Sequence, residues 1–205
     1  MLYIMNDTDK IGTEFLEKAL PQLSLQRTKR MDELKNKRDK INCAACYLLL
    51  RKALHEEYGI KDKPEFLYFE HGKPYIKGHE NIHFNFSHCR NACACIVSDK
   101  PTAVDIADKR HISLRTAQYF CSDEEFGKIS ALPSPSDELV RLWSIKECYS
   151  KLDGSGLFKN FKEITKECTA DIHTFGSDMY YCSYYSPDPL SPIFVINSSK
   201  IEAQS

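Results

Sequence analysis

The order of apolar and polar positions predicts two long helices and two shorter ones. Over 41–58, apolar side chains recur at helical spacing and Gly59 ends the pattern, which is typical of a helix with one buried face. Ser122 and Glu125 have the spacing of a capping box, so a helix is expected to begin there. The helices that these signals predict are 12–20, 41–58, one starting at Ser122, and 137–152.

Strands are predicted where apolar residues alternate with polar ones. Ile82, Phe84 and Phe86 share one face of 81–88, and polar residues occupy the other. Similar signals predict strands at 2–5, 66–69, 81–88, 92–97, 102–106, 163–172, 179–185 and 193–197.

Runs of strands beside runs of helices favour an α+β fold over alternating βαβ units. We expect two similar subdomains, 1–100 and 101–205, each a small, mostly antiparallel sheet packed with helices. A cleft between two such units is a common place for a ligand site.

Composition narrows the class of protein. The 205 residues carry 28 Lys and Arg against 29 Asp and Glu, which argues against nucleic acid as a partner. No apolar run approaches the roughly 20 residues that cross a bilayer, and the first residues lack the features of a signal peptide. Nine cysteines without such a signal predict free thiols in a reducing, cytoplasmic setting.

The segment from Trp143 to Lys151 holds the densest group of reactive side chains. On a helix, Trp143, Glu147 and Lys151 lie along one face, four residues apart. An apolar face is expected from Leu142, Ile145, Tyr149 and Leu152. A carboxylate with two lysines suits a cation and phosphates, but the same pattern is also typical of an ordinary surface helix with a Glu–Lys pair.

Three other segments place polar groups where phosphate could bind. Asp105 lies in a short apolar strand, where a buried carboxylate needs an ionic partner. Asn85 and Ser87 point the same way just before His88, and the turn Gly72-Lys73-Pro74 presents a lysine as a point charge. Taken singly, each is more typical of an exposed strand end or a locally hydrogen-bonded turn.

In this order and spacing, the four segments resemble the motifs of the 4′-phosphopantetheinyl transferases of the surfactin-synthetase-activating (Sfp) type. That family shows Gly-Lys-Pro, Asn-x-Ser-His-Ser, Gly-x-Asp-x-Glu and Trp-x-x-Lys-Glu-x-x-x-Lys. The matching segments here are Gly72–Pro74, Asn85–Cys89, Ala103–Ala107 and Trp143–Lys151, with Gly154-Ser155-Gly156-Leu157 following the last. The resemblance covers about residues 1–160, and the last motif is the most specific.

The resemblance implies an enzyme that transfers 4′-phosphopantetheine from coenzyme A to a serine of an apo acyl or peptidyl carrier protein, releasing adenosine 3′,5′-bisphosphate. Asp105 and Glu147 match the family's ligands for Mg²⁺, which Mn²⁺ can replace. Glu147 would help to deprotonate the serine, and Lys151 would assist the leaving phosphate. The catalytic residues so implied are Asp105, Glu147, Lys151 and His88, and the contacts with coenzyme A are Lys73, Pro74, Ser87, His88, Lys146 and Lys151.

The chain departs from the family pattern at two places. Ala107 stands where the pattern has a third metal-binding carboxylate, so we expect two protein carboxylates, weaker metal affinity and water in the vacant position. The family often has an arginine near Asn42, and Arg38 or Arg51 is expected to replace it at the 3′-phosphate. Both lie in or near the basic stretch 27–40, whose net charge of +4 also suits an exposed helix face or an acidic carrier protein.

Two other functions stay open on sequence grounds. Cys43, Cys46, His88, Cys89, Cys93 and Cys95 are soft ligands that suit a zinc site, although Cys43 and Cys46 fall inside an apolar helix. Because Ala107 lacks a carboxylate, the chain is alternatively an inactive relative that binds coenzyme A or a carrier protein without transfer. For the enzyme, the expected partners are coenzyme A and a carrier protein, with the site completed in one monomer and no membrane involved.

Overall fold

The computed structural model describes residues 1–70, 72–154, 160–164, 171–189 and 193–197. Its helices are α1 (Glu14–Ala19), α2 (Leu25–Asp32), α3 (Lys37–Tyr58), α4 (Leu114–Ala117), α5 (Asp123–Ser130) and α6 (Pro135–Asp153). Its strands are β1 (Leu2–Asn6), β2 (Phe66–Tyr68), β3 (Pro74–Ile76), β4 (His83–His88), β5 (Ala92–Ser98), β6 (Ala103–Asp108), β7 (His173–Gly176), β8 (Tyr180–Tyr185) and β9 (Ile193–Ile196). The predicted α+β class with small antiparallel sheets and packed helices is confirmed.

The first sheet has the order β4-β5-β1-β9 and separates two hydrophobic cores. Alternate residues of β1 point to opposite sides: Tyr3 and Met5 pack toward α3, and Leu2 and Ile4 pack toward the second sheet. Helix α3 is buried almost all round from Ile41 to Leu50, which is why its apolar pattern is nearly continuous. The sheet therefore lies between α3 and the second sheet.

The second sheet has the order β6-β8-β7, and all of its strand pairs are antiparallel. Val104, Ile106 and Cys182 contribute its inner face to the core shared with the first sheet. Helix α6 packs on the other face, where Ser144 and Cys148 are fully buried. Small side chains at these positions let the helix approach the sheet closely, and they bring α6 to the face from which Asp105 projects.

The ends of the long helices follow local rules. The side chain of Asn36 caps α3 by accepting a hydrogen bond from the backbone N–H of Arg38, and Gly59 ends it with a positive φ of 68°. The capping box predicted at Ser122 and Glu125 is present at the start of α5. These two confirmed signals depend only on neighbours in the chain.

Three predictions about elements are wrong or displaced. The strand expected at 163–172 is found as β7 at His173–Gly176, residues 163–164 are helical or in a turn, and 165–170 lie outside the described residues. Strand β9 pairs in parallel with β1, so it completes the first sheet and not the second as expected. The apolar face predicted for α6 is only half-buried at Ile145, because the sheet contacts the smaller Ser144 and Cys148 instead. The division into 1–100 and 101–205 stays a prediction.

None of the helices in the described part of the chain is long and apolar enough to cross a membrane.

Candidate active site

A cleft of about 210 Å³ opens where β4, β6, the segment after β6 and α6 meet. Three acidic residues from two elements line it, Asp105 and Asp108 from β6 and Glu147 from α6. Its other lining residues include His88, Ala107, Arg110 and Trp143. Carboxylates, a histidine and a basic group thus share one opening that is small, polar and accessible from solvent.

Asp105 is buried, with a relative exposure of 6%, and its charge is balanced by Lys151. The Lys151 ammonium lies 2.7 Å from Oδ1 of Asp105 and 2.9 Å from the hydroxyl of Ser87. The same Oδ1 also accepts a hydrogen bond of 2.9 Å from Ser87. A cation and a hydroxyl satisfy this buried carboxylate, which is the condition for keeping a charge away from water.

Polar side chains of β4 bind the backbone of β6 and so fix the position of Asp105. Oδ1 of Asn85 accepts a hydrogen bond from the N–H of Val104, and Oγ of Ser87 accepts one from the N–H of Ile106. These bonds flank Asp105 on both sides along β6. The Asn-x-Ser part of the third segment therefore joins the two sheets beside the cleft.

Glu147 lies half-buried in the cleft wall, one turn of α6 before Lys151. Burial raises the pKa of its carboxyl group, and the nearby Asp105 raises it further, while Lys151 acts in the opposite direction. The carboxylate of Asp105 thus lies close enough to Glu147 to disfavour the ionised form of Glu147. Such a pair of carboxyl groups attracts a divalent cation or holds a proton.

His88 stands at the mouth of the cleft, and its ring is held from behind by α3. Nδ1 of His88 lies 3.2 Å from the side-chain nitrogen of Asn42. Partial burial lowers the pKa of His88, and the positive charge of Lys151 lowers it further, so the neutral imidazole is favoured. Sequence reasoning gave no role to Asn42, because only the fold brings it to His88.

The hairpin of β2 and β3 carries Lys73 and Pro74 toward the end of α6. The ammonium of Lys73 lies 3.3 Å from the carbonyl oxygen of Leu152. Burial lowers the pKa of Lys73, and Asp153 partly offsets this effect. The fold therefore brings the Gly-Lys-Pro turn to the last turn of the helix that carries Glu147 and Lys151.

Lys146 does not join this group. Its side chain is fully buried on another face of α6, where its ammonium contacts Oε2 of Glu125 at 2.7 Å and the carbonyl oxygens of Phe120 and Phe161 at 2.8 Å each. A contact with coenzyme A would require the ammonium to leave all three partners. The structure therefore places Lys146 outside the cleft, and its contact with coenzyme A stays a prediction.

Arg38 and Arg51 bind the protein's own backbone. The guanidinium group of Arg38 donates to the carbonyl oxygens of Thr8 and Asp9. Arg51 donates to the carbonyl oxygen of Gln22 at 3.1 Å and lies about 14 Å along α3 from Asn42, given the helical rise per residue. Of the two, Arg38 lies nearer the His88 turn, since Thr8 also bonds to Arg90 of that turn. Their predicted contact with a 3′-phosphate stays a prediction.

Asp108 also lines the cleft, and its carboxylate is hydrogen-bonded to the turn that follows β4. It accepts hydrogen bonds from the N–H of Arg90 at 2.8 Å and from the side chain of Asn91 at 2.7 Å. Asp108 therefore holds the turn that follows His88 and Cys89. Arg110, which sequence reasoning also passed over, adds a positive charge to the cleft.

The carboxylates in the cleft are ligands of the type that a hard divalent cation prefers. Asp105 and Glu147 offer carboxylate oxygens, which Mg²⁺ prefers. No group of three or more His, Cys, Asp or Glu side chains suited to a metal occurs among the residues that the model describes. The described cysteines are free thiols, and burial raises the pKa values of Cys43, Cys89 and Cys95, which disfavours the thiolates that zinc requires.

Comparisons with known proteins point to one family. The model of the 4′-phosphopantetheinyl transferase superfamily matches residues 101–186, which include Asp105 and Glu147. The chain is 27% identical over 168 residues to the 4′-phosphopantetheinyl transferase psf-1 of Bacillus pumilus, covering 80% of this chain and 71% of that protein. It is 28% identical over 150 residues to the 4′-phosphopantetheinyl transferase Sfp of Bacillus subtilis (strain 168), covering 72% and 67%.

A third relative, the 4′-phosphopantetheinyl transferase gsp of Aneurinibacillus migulanus, is 28% identical over 163 residues, covering 77% of this chain and 67% of that protein. All three relatives are 4′-phosphopantetheinyl transferases, the family that the motifs of this chain resemble. Residues 101–186 thus match the 4′-phosphopantetheinyl transferase superfamily, and the chain is similar over most of its length to the Sfp-type enzymes of that superfamily.

Proposed function

We propose that this protein transfers the 4′-phosphopantetheine group of coenzyme A to a serine of an apo acyl or peptidyl carrier protein, in a Mg²⁺-dependent reaction. The products would be the holo carrier protein and adenosine 3′,5′-bisphosphate. The observation that carries the proposal is the convergence of Asp105 and Glu147 in a cleft that also holds His88, with Lys151 bonded to Asp105.

Transfer of the phosphopantetheine group requires that the negative charge on the diphosphate of coenzyme A be stabilised. The serine oxygen attacks the phosphorus that carries pantetheine, and the bond from this phosphorus to the bridging oxygen of the nucleotide breaks. Asp105 and Glu147 would hold the Mg²⁺ ion, which when bound supplies neutralisation of the phosphate charges. Ala107 leaves this pair without the carboxylate that the family pattern has at that position, so we expect weaker metal affinity.

Each polar side chain of the site is given a separate role in this proposal. Glu147 would take the proton of the attacking serine, a role that suits a carboxyl group whose pKa is raised by burial. Lys151 would stabilise the negative charge of the departing phosphate, and Ser87 would hold Lys151 in place by accepting a hydrogen bond from its ammonium group. Lys73, close to the end of α6, would contact the nucleotide phosphates together with His88.

Mass spectrometry tests the proposal directly. An apo carrier protein incubated with the enzyme, coenzyme A and Mg²⁺ should gain roughly 340 Da, the mass of the phosphopantetheine group. Glu147→Ala should abolish the gain, since one of two anionic ligands is lost, whereas Glu65→Ala removes an exposed carboxylate on the hairpin side and should not. A wild-type enzyme that binds coenzyme A but leaves a panel of acyl and peptidyl carriers unmodified would favour the inactive relative.

A further inference from the structure

Asn42 is a buried polar residue of α3 whose amide lies between the His88 turn and β5. Its relative exposure is 3%, so its hydrogen-bonding groups must find partners inside the protein. The side-chain nitrogen lies 3.2 Å from Nδ1 of His88 and 3.5 Å from the carbonyl oxygen of Cys89. The side-chain oxygen lies 3.8 Å from the sulfur of Cys93.

These partners determine which way the amide points. A backbone carbonyl can only accept, so the Asn42 group beside the Cys89 oxygen must be the NH₂. The Cys93 thiol can donate to the amide oxygen at the other end, and this thiol is fully buried. Reversing the amide would set two carbonyl oxygens against each other, which makes the opposite orientation unfavourable.

The orientation of the amide decides the protonation of His88. Because the NH₂ of Asn42 donates to Nδ1, that ring nitrogen must offer its lone pair and carry no proton. The geometry points to Asn42 as a positioning residue that holds His88 in the neutral tautomer protonated on Nε2. His88 then presents an N–H donor to the cleft, and not a lone pair or a second positive charge.

This inference rests on the proposed function for its consequence, although not for its geometry. A neutral N–H donor suits a phosphate oxygen of coenzyme A, whereas an Nε2 lone pair would repel it. The lowered pKa of His88 agrees, since partial burial and Lys151 both disfavour the imidazolium form. Asn42 would thus act on coenzyme A through His88 without touching it.

Nitrogen-15 NMR of histidine-labelled protein reads the tautomer without any need for activity. The chain has seven histidines, and loss of signals in His88→Gln assigns the pair that belongs to His88. Above the ordinary histidine pKa of about 6.5, Nδ1 should show the shift of an unprotonated nitrogen and Nε2 that of a protonated one. In Asn42→Asp, whose carboxylate only accepts, a proton should appear on Nδ1.

The control is Cys93→Ala, which removes the thiol from the amide oxygen but leaves the amide beside His88. It should keep the wild-type nitrogen pattern. A protonated Nδ1 in the wild-type protein, or an Asn42→Asp variant with unchanged nitrogen shifts, overturns the inference.

Kinetics separate the two proposals. If transfer occurs, Asn42→Asp should raise the KM for coenzyme A about tenfold or more at a pH where the His88 ring is neutral, since its proton then lies on Nδ1 and the Nε2 donor to a charged phosphate is lost. Should the wild-type nitrogen pattern appear as expected while no carrier is modified, the tautomer assignment stands and the proposed function fails. Transfer that proceeds with an unchanged KM in Asn42→Asp overturns the role given to Asn42.

Discussion

Replacing Lys146 by methionine separates a structural role for this lysine from a role in binding coenzyme A. The ammonium group lies in a fully buried position and has three acceptors within 2.8 Å: one carboxylate oxygen and two backbone carbonyl oxygens. Methionine keeps the length and most of the volume of the side chain but donates no hydrogen bond. The variant therefore removes the charge and its bonds while leaving little empty space.

The expected loss of stability depends on the acceptors that remain without the ammonium group of Lys146. Breaking a buried ion pair by removing one partner costs about 3–5 kcal/mol. The lower end applies here, because Glu125 keeps 17% of its side chain exposed and still accepts a hydrogen bond from the N–H of Ser122. We expect Lys146→Met to lower the free energy of unfolding by about 3 kcal/mol, which corresponds to a fall in Tm of about 6–12 °C.

Urea denaturation measures this change, and Lys128→Met is a matched control. Lys128 contacts Glu124 at 2.6 Å, but both side chains are about three-quarters exposed, so its loss should leave stability unchanged within error. If Lys146→Met is no less stable than Lys128→Met, the structural role is refuted. If its stability is unchanged and its KM for coenzyme A rises, the contact with coenzyme A predicted from the sequence is correct instead.

Three further outcomes are expected. Glu147→Gln, measured with a chelator present, should be more stable than wild type at neutral pH. The pKa of Glu147 is raised in the folded protein, so its ionised form destabilises the fold. The difference in free energy of unfolding between the variant and wild type, measured in urea titrations, should therefore vanish as the pH falls below the ordinary pKa of 4.5. Ala107→Glu should lower the Mg²⁺ concentration that half-saturates transfer, and an unchanged value would count against a two-carboxylate site. Asp108→Ala should lower the free energy of unfolding, measured by urea denaturation, by about 1–2 kcal/mol, because the turn after His88 loses a hydrogen-bond acceptor. An unchanged free energy of unfolding would mean that the turn does not depend on Asp108.

Helical periodicity anticipated which residues of α6 meet in the cleft. Trp143, Glu147 and Lys151 are four residues apart, and the fold brings Trp143 and Glu147 to the cleft and Lys151 to Asp105. Glu147 and Lys146 are neighbours in the chain but point about 100° apart, as the helix dictates. Periodicity therefore predicts that Lys146 and Glu147 lie on different faces of the helix. It does not predict which of these faces is exposed to solvent and which contacts the carbonyl oxygens of other segments.

The charges of the long basic stretch show the same limit. From the sequence, Arg38 and Arg51 are expected to add positive charge to the surface. In the structure, each guanidinium group donates to a backbone carbonyl of a distant segment. A carbonyl oxygen is present at every residue, so no sequence pattern marks the one that an arginine will find. The same holds for Asn42 and His88, which are 46 residues apart and meet only because α3 covers the first sheet.

Sequence by itself determined the features that depend on neighbours in the chain. These include the start of α5 at its capping box, the end of α3 at Gly59, the strand alternation of β4 and the motifs that reveal the family. Tertiary structure alone decided that β9 joins β1, that Lys146 turns inward and that Asp105 pairs with Lys151. The physical reason is that helix periods, caps and turns are set by local sterics and hydrogen bonds, whereas a buried charge or polar group takes its partner from whichever segment the packed core brings beside it.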